Sequence, residues 1–234
     1  MRLVLFGPPG SGKGTQSRLL QERLGLRYIA TGEALREAIR QQTPTGKAAK
    51  PYIDAGQLVP DKIVNELVAE IFRGDDPPRC FVLDGYPRTL SQAVTFDKLL
   101  KDRGLNLDAV LQFVISDDEV VRRLGGGGRW TCSNPTCGAT FNLTGRKPKR
   151  PGICDTCGSP LMQREDDKEE TIRRRLQVYH DNTAGVLAHY KAARLLHEVP
   201  TDGPVEAVHQ YIIKLLKPTG DSSCSGPTSN KPPS

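Results

Sequence analysis

The run Gly7-Pro8-Pro9-Gly10-Ser11-Gly12-Lys13-Gly14-Thr15-Gln16 sets a lysine at the end of a glycine-rich turn. It follows the apolar Leu3-Val4-Leu5-Phe6 and opens the helical stretch from Lys13 to Arg23. A strand, a glycine turn and a helix start in that order make an anion cradle, because backbone N–H groups turn inward and the helix N-terminus adds positive potential. Gly10, Ser11, Gly12, Lys13, Gly14 and Thr15 are the candidate phosphate contacts, with Lys13 reaching the β- and γ-phosphates as a mobile charge. An empty flexible turn is the bland alternative, and the strand–loop–helix context disfavours it. The hydroxyl that normally follows the lysine and binds Mg²⁺ is displaced here, since Gly14 precedes Thr15.

Four of the six cysteines form the pairs Cys132-x4-Cys137 and Cys154-x2-Cys157, sixteen residues apart. That spacing suits a closed tetrahedral four-thiolate Zn²⁺ site, structural because no coordination position is left for substrate. The first pair is wide, with Ser133-Asn134-Pro135-Thr136 between its members. An all-thiolate set also accepts iron, and a disulfide or free thiols are the other readings. Metal binding supplies ~10 kcal/mol toward folding a lobe too small for its own core. His180, His189, His197 and His209 share no metal spacing and read as surface or packing residues, and Cys80 as a buried apolar one.

Asp84 ends the apolar run Cys80-Phe81-Val82-Leu83. The carboxyl end of a strand is a usual place for a residue held near Mg²⁺, with turn capping before Gly85 as the alternative. Phosphoryl transfer needs two substrates in line, excluded water and cations on the oxygens that carry charge. That chemistry predicts cations converging from distant segments, and the candidates are Lys13, Arg88, Arg123, Arg129, Arg164 and Arg175. The formal charge is +6, from 33 Lys+Arg against 27 Asp+Glu. Because the arginines are dispersed over separate motifs, a nucleotide site explains them better than a nucleic-acid surface. A zinc-ribbon nucleic-acid binder is the reading from another class, and it would not need a phosphate loop.

The elements that must position these groups are legible as short apolar runs. Strands are predicted at 3–6, 28–30, 80–84, 109–115 and 195–199. Helical patterns separate them at 65–72, 90–100 and 118–124, and at 167–194 with breaks. The alternation predicts an α/β fold, a parallel five-stranded phosphate-loop sheet with helices on both faces and ligands at the strands' carboxyl ends. Two segments break the rhythm: a polar helical insert after the second strand, and a Cys/Gly/Pro/Thr-rich stretch that reads as small β-loops around a metal. Residues 217–234 are Pro/Ser/Gly/Thr-rich and are expected to be a disordered tail. No run approaches the ~20 apolar residues of a membrane span, and the apolar start is too short for a signal peptide, so a cytoplasmic location is expected.

In order along residues 1–216, the motifs resemble adenylate kinases, whose loop reads Gly-x-Pro-Gly-x-Gly-Lys-Gly-Thr-Gln. The resemblance continues through Thr31-Gly32-Glu33-Ala34-Leu35-Arg36, Asp54-Ala55-Gly56-Gln57-Leu58-Val59, Leu83-Asp84-Gly85-Tyr86-Pro87-Arg88-Thr89, Gln92 and Arg164-Glu165-Asp166-Asp167-Lys168-Glu169-Glu170-Thr171. It implies a long-lid, zinc-binding enzyme that reversibly moves the terminal phosphoryl group of ATP onto AMP, giving ADP, with Mg²⁺ accompanying ATP. A monomer with no nucleic-acid or membrane partner follows from the same resemblance. The implied layout is a core of 1–29, 60–128 and 167–216, an AMP-binding lobe of 30–59 and a lid of 129–166.

The implied AMP pocket comprises Thr31, Arg36, Gln57, Leu58, Val59, Gly85, Tyr86, Pro87, Arg88, Gln92, Arg164 and Arg175. Beyond the phosphate loop, ATP is expected to meet Arg129, Thr140, Phe141, Gly203 and Pro204, and Asp84 to orient the Mg²⁺ water shell. Read without the resemblance, Thr31 is a helix cap, Arg36 a solvated face, Gln92 a surface residue, Leu58-Val59 core and Phe141 lid packing. An amide such as Gln92 suits adenine because it donates and accepts along one base edge. The family's Arg-Leu-x-Gly-Arg spacing is stretched here, since Gly125 to Gly128 set Arg123 and Arg129 six apart. The extra glycines are expected to loosen a hinge into the lid while Arg129 keeps its contact with ATP. Arg173 and Arg174 read as a solvated helix face. A different nucleoside monophosphate kinase, or a member using GTP as donor, is the nearest rival.

Overall fold

The computed structural model describes residues 1–216 except 75, 126–127, 135–136 and 143–146. The expected disordered tail at 217–234 and the middle of the glycine run lie outside the described residues. The central strand β1 (Arg2–Phe6) alternates strictly: Val4 and Phe6 enter one hydrophobic cluster, Leu3 and Leu5 another. Opposite pointing of successive side chains therefore commits both faces of the sheet to burial.

Around β1 lie α1 (Lys13–Leu24), β2 (Arg27–Ala30), α2 (Thr31–Arg40), α3 (Pro44–Asp54), α4 (Asp61–Arg73), β3 (Phe81–Asp84), α5 (Leu90–Lys101), β4 (Ala109–Val114) and α6 (Asp117–Leu124). The lid strands β5 (Arg129–Cys132), β6 (Thr140–Asn142) and β7 (Leu161–Met162) follow, then a short 3₁₀ turn (Glu165–Asp167), α7 (Glu169–Ala192), β8 (Leu196–Pro200) and α8 (Val205–Leu215). The main sheet has the order β2-β3-β1-β4-β8, with every pairing parallel, as the alternating pattern predicts. One face is covered by α4, α5 and α7 through Val68, Phe72, Phe96, Val186 and Tyr190. Phe72 and Phe81 meet edge-to-face at 5.2 Å, a geometry worth ~1 kcal/mol beyond area burial. The other face is covered by α1 and α8 through Leu20, Val208 and Ile212.

Two expectations change. The 167–194 segment has no breaks inside its helix: α7 is continuous over Glu169–Ala192, because it holds no proline, and its Gly185 lies beside Leu90 of α5. Cys80 is half-buried rather than buried. Helix α8 has a signal in Val205, Val208 and Ile212 after Pro204, a spacing that would have found it. The lid is a three-stranded antiparallel sheet of order β6-β5-β7 over a small core of Cys132, Ala139, Phe141, Cys154 and Leu161. Among the described residues, no helix is long and apolar enough to cross a membrane.

Candidate active site

The carboxyl ends of β1 and β3 lie side by side, in the register Leu5 to Asp84. The phosphate loop leaves β1 there and opens a cleft of about 1190 Å³ walled by the sheet, the α2–α3 insert, the lid and α7. Lys13 Nζ donates to the carbonyls of Gly7 (2.7 Å) and Pro8 (2.8 Å) and to Ser11 Oγ (3.3 Å). An entering phosphate would offer oxygens to the same ammonium. Burial pushes Lys13 down to about 8; Arg88, Arg175 and Arg129 add to the shift and Asp84 opposes it. Tyr28 Oη donates to Asp84 Oδ2 at 3.4 Å, and a side chain at Gly14 would meet that oxygen at 3.6 Å. Gly14, the departure from the general loop pattern, thus stands directly against the carboxylate, where a Cβ would make ordinary contact.

The cleft is bordered by cations from separate segments. Arg36 from α2, Arg88, Arg123, Arg129 from β5, Arg164 and Arg175 from α7 all border the cleft with Lys13. Two aspartates of the 3₁₀ turn, to which sequence analysis gives no role, pair with three of them. Asp166, only 7% exposed, accepts from Arg175 through its backbone carbonyl at 3.0 Å, and its carboxylate pairs with Arg175 at 3.0 Å and lies 3.9 Å from Arg36. Asp167 takes both prongs of the Arg129 guanidinium, one at 2.8 Å. Burial alone would push the Asp166 carboxyl up, but Arg175, Arg36, Arg129 and Arg164 together hold it well below the carboxylate range. Burial also lowers the proton affinity of Arg36, Arg164 and Arg175, with neighbouring arginines adding to it and Asp166 opposing. Such a charge set is poised for polyanions. Arg123 is held apart from that group, donating to Glu119 (2.7 Å) and the Thr201 carbonyl (2.9 Å). Arg173 and Arg174 stay on the exposed face.

Near α2 and the end of β3, Thr31, Gln57, Leu58, Val59, Gly85, Pro87 and Gln92 also line the cleft. Gly85 has φ +84°, and a Cβ there would press on Thr31 Oγ1 at 3.0 Å and Arg88 Nη2 at 3.2 Å, so only glycine lets those two groups share the corner. Tyr86 is the exception: its ring, 2% exposed, packs edge-to-face on Phe96 and its hydroxyl donates to Asn65 Oδ1. It shapes the pocket from behind instead of lining it, because β3 ends at Asp84 and the turn at Gly85 sends the next side chain into the cluster that holds Phe81 and Leu83. Gln92 is buried rather than a surface residue; its Oε1 accepts from the Arg88 N–H and its Nε2 donates to Asp61, both at 2.7 Å.

From the lid and the loop before α8, Thr140, Gly203 and Pro204 border the cleft. Phe141 borders it too, yet its ring is 1% exposed and engaged in the lid core, so the packing reading accounts for the side chain. The four cysteine Sγ atoms lie within 4.8 Å of one another, with Cys132–Cys157 at 3.4 Å and Cys137–Cys154 at 3.7 Å. A tetrahedron with metal–sulfur bonds of ~2.3 Å has edges of about 3.8 Å, so the cluster fits one ion. The histidines stand elsewhere: His180 faces Asp117, His189 faces Asp97 and His209 faces Gln16. Besides Asp166 and Asp167, sequence reasoning missed Arg18, whose guanidinium joins α1 to the lid through the Gly138 carbonyl (2.8 Å). No spacing rule links a residue at 18 to one at 138.

A family model described as adenylate kinase matches residues 5–195. The chain is 46% identical over 217 residues to the adenylate kinase of Acidothermus cellulolyticus, covering 93% of this chain and 98% of that protein. It is 47% identical over 216 residues to that of Caldicellulosiruptor saccharolyticus, covering 92% and 99%. With the adenylate kinase of Archaeoglobus fulgidus it shares 43% over 217 residues, covering 93% and 98%.

Proposed function

This chain belongs to the adenylate kinase family, and from that premise we propose how its own residues divide the transfer of the terminal phosphoryl group of ATP to AMP, which gives two ADP. The observation that carries the assignment is the convergence of Lys13, Arg36, Arg88, Arg129, Arg164 and Arg175, from separate segments, on one cleft that begins at a phosphate loop. Positioned cations in a dry cleft stabilise a transferring phosphoryl group without covalent help. Lys13 and the amides of Gly10, Ser11, Gly12, Gly14 and Thr15 hold the donor phosphates, with Arg123 and Arg129 on the same side. Thr140, Gly203 and Pro204 border the donor base, and Phe141 reaches it through backbone while its ring stays in the lid. Thr31, Arg36 and Arg88 hold AMP, with Gln57, Leu58, Val59, Gly85, Pro87 and Gln92 around its base and sugar. Arg164 and Arg175 serve the group in flight, and Asp166 and Asp167 hold the arginines in place until nucleotide phosphates share their charge.

ATP brings Mg²⁺, and Asp84 is the carboxylate placed to orient its water shell. Zn²⁺ is the ion we assign to Cys132, Cys137, Cys154 and Cys157; bound there, it would staple the lid and leave no open position for chemistry. The division of labour follows a core of 1–29, 60–128 and 167–216, an AMP lobe of 30–59 and a lid of 129–166. One chain supplies both nucleotide sites, which suits a monomer, and thiolate ligands suit a reducing compartment such as the cytoplasm.

The test is one coupled assay for ADP from ATP and Mg²⁺ with AMP, CMP, UMP or GMP as acceptor, run beside metal quantification. ADP formation specific to AMP, with one zinc per chain, is the expected result. Absent turnover with tight, steeply salt-dependent oligonucleotide binding would instead support a nucleic-acid binder. Arg129→Ala leaving turnover within about threefold, a loss of only ~0.6 kcal/mol, would remove Arg129 from its role.

A further inference from the structure

We propose that Asp61 is a positioning residue that sets acceptor-base specificity by locking the orientation of the Gln92 amide; the proposal rests on the reading that Gln92 faces the acceptor base. Asp61 opens α4 and does not itself border the cleft, whereas Gln92 does. One Asp61 oxygen accepts from Gln92 Nε2 at 2.7 Å, and the other accepts from Thr89 Oγ1 at 2.8 Å. At its other end, Gln92 Oε1 accepts from the Arg88 N–H at 2.7 Å. Behind the amide, the Gln92 backbone N–H donates to Thr89 Oγ1 at 3.1 Å, so the backbone is held as well.

The chemistry of these partners leaves the amide one orientation. A carboxylate only accepts and a backbone N–H only donates, so the nitrogen must face Asp61 and the oxygen must face Arg88. Flipping the amide would set its carbonyl against the Asp61 carboxylate and its NH₂ against the Arg88 N–H, losing both bonds and adding two repulsive contacts. One N–H and one lone pair remain for a ligand, in fixed places. Adenine presents an amino donor at its 6-position, while guanine and hypoxanthine present an oxygen acceptor there and a ring N–H beside it. An unlocked amide would serve either pattern by turning over. A locked one serves adenine and leaves a 6-oxo purine with mismatched groups, the kind of mismatch that a polar site rejects strongly.

The experiment compares kcat/KM with AMP and with IMP for wild type, Asp61→Ala, Asp61→Asn, Thr89→Val and Gln92→Ala, with thermal melting and ATP binding as checks of folding. In Asp61→Ala the AMP:IMP ratio is expected to fall at least tenfold, with kcat/KM for IMP rising in absolute value. Asp61→Asn keeps an acceptor oxygen and gives a smaller fall in the same direction. Thr89→Val removes a hydroxyl from the same carboxylate and from the Gln92 backbone N–H that it caps, but leaves both side-chain amide bonds, so it keeps the ratio if those bonds set it. A ratio within threefold of wild type in folded Asp61→Ala overturns the proposal, as does an equal fall in Thr89→Val, which would mark a merely structural role. Should Asp61→Ala not fold, Asp61→Asn decides, and a ratio within twofold of wild type overturns it. If Gln92→Ala also leaves the ratio unchanged, the base contact itself fails; if it collapses the ratio while Asp61→Ala does not, only the lock fails.

Discussion

Replacing Arg18 with alanine should loosen the docking of the lid on the rest of the enzyme. The guanidinium leaves α1, donates to the Gly138 carbonyl at 2.8 Å, and stands 3.4 Å from Glu33 of α2. It therefore links the core, the insert and the lid loop that follows Cys137. Its stacking over Tyr28, at 5.3 Å, joins α1 to β2 and is unaffected by lid position. A hydrogen bond from a charged donor contributes ~2 kcal/mol, and a partly exposed ion pair below ~1 kcal/mol. Loss of ~2 kcal/mol is about thirtyfold in the closed-to-open ratio. The assay is energy transfer between one dye on α3 and one on the lid, read with saturating nucleotides. Arg18→Ala should reduce the closed population, raise KM for both nucleotides, and raise kcat if lid opening limits turnover. Gly138→Ala attacks the same contact from the other side, since its Cβ would fall 2.4 Å from Arg18 Nη2 at a φ of +50°. With metal content unchanged, the two substitutions should be non-additive by ~1 kcal/mol or more. A closed-to-open ratio within twofold of wild type in Arg18→Ala, or strict additivity of the pair, refutes the reasoning.

Asp166→Ala removes the partner of buried arginines and should cost ~3 kcal/mol of stability, seen as a drop in Tm. Because the Asp166 carboxyl is depressed when folded, that contribution is fully present above the ordinary value of 3.8 and is lost only as pH falls through the depressed one. The gap between wild type and variant should thus stay constant from about pH 8 to 5 in denaturant titrations, and a gap that closes above pH 5 would contradict the assignment. Lys13 gives the opposite sign: pushed down to about 8 from 10.5 in the free enzyme, it should take up a proton when ATP phosphates restore its charge. Calorimetry of ATP binding in buffers of different ionisation heat should show uptake rising from pH 7 to 9, and its absence in Lys13→Met. Stripping metal with a strong chelator should unfold the lid strands and expose Phe141 to quenchers while the main melting transition persists; loss of the whole fold would show that the lid is not separately stapled.

Much of this protein is local, and local features are legible. The parallel sheet was readable because strands buried on both faces must be apolar runs, as in Leu3 to Phe6 and Phe81 to Leu83. The phosphate loop and the cysteine pairs were readable because their partners are neighbours in the chain. AMP as the acceptor was readable through resemblance, and the convergence of the arginines was an inference from what phosphoryl transfer requires. Tertiary structure alone decided the rest. It sent Tyr86 into the core and the Phe141 ring into the lid, and made one continuous helix of Glu169–Ala192. It also paired Asp166 with arginines from α2 and α7, brought Arg18 to Gly138, and set Asp61 against Gln92. Those contacts span up to 130 positions of sequence between Arg36 and Asp166, and no periodicity crosses such a distance. The chain specifies which groups face the cleft one element at a time; which charges and amide edges oppose each other there depends on how the elements pack.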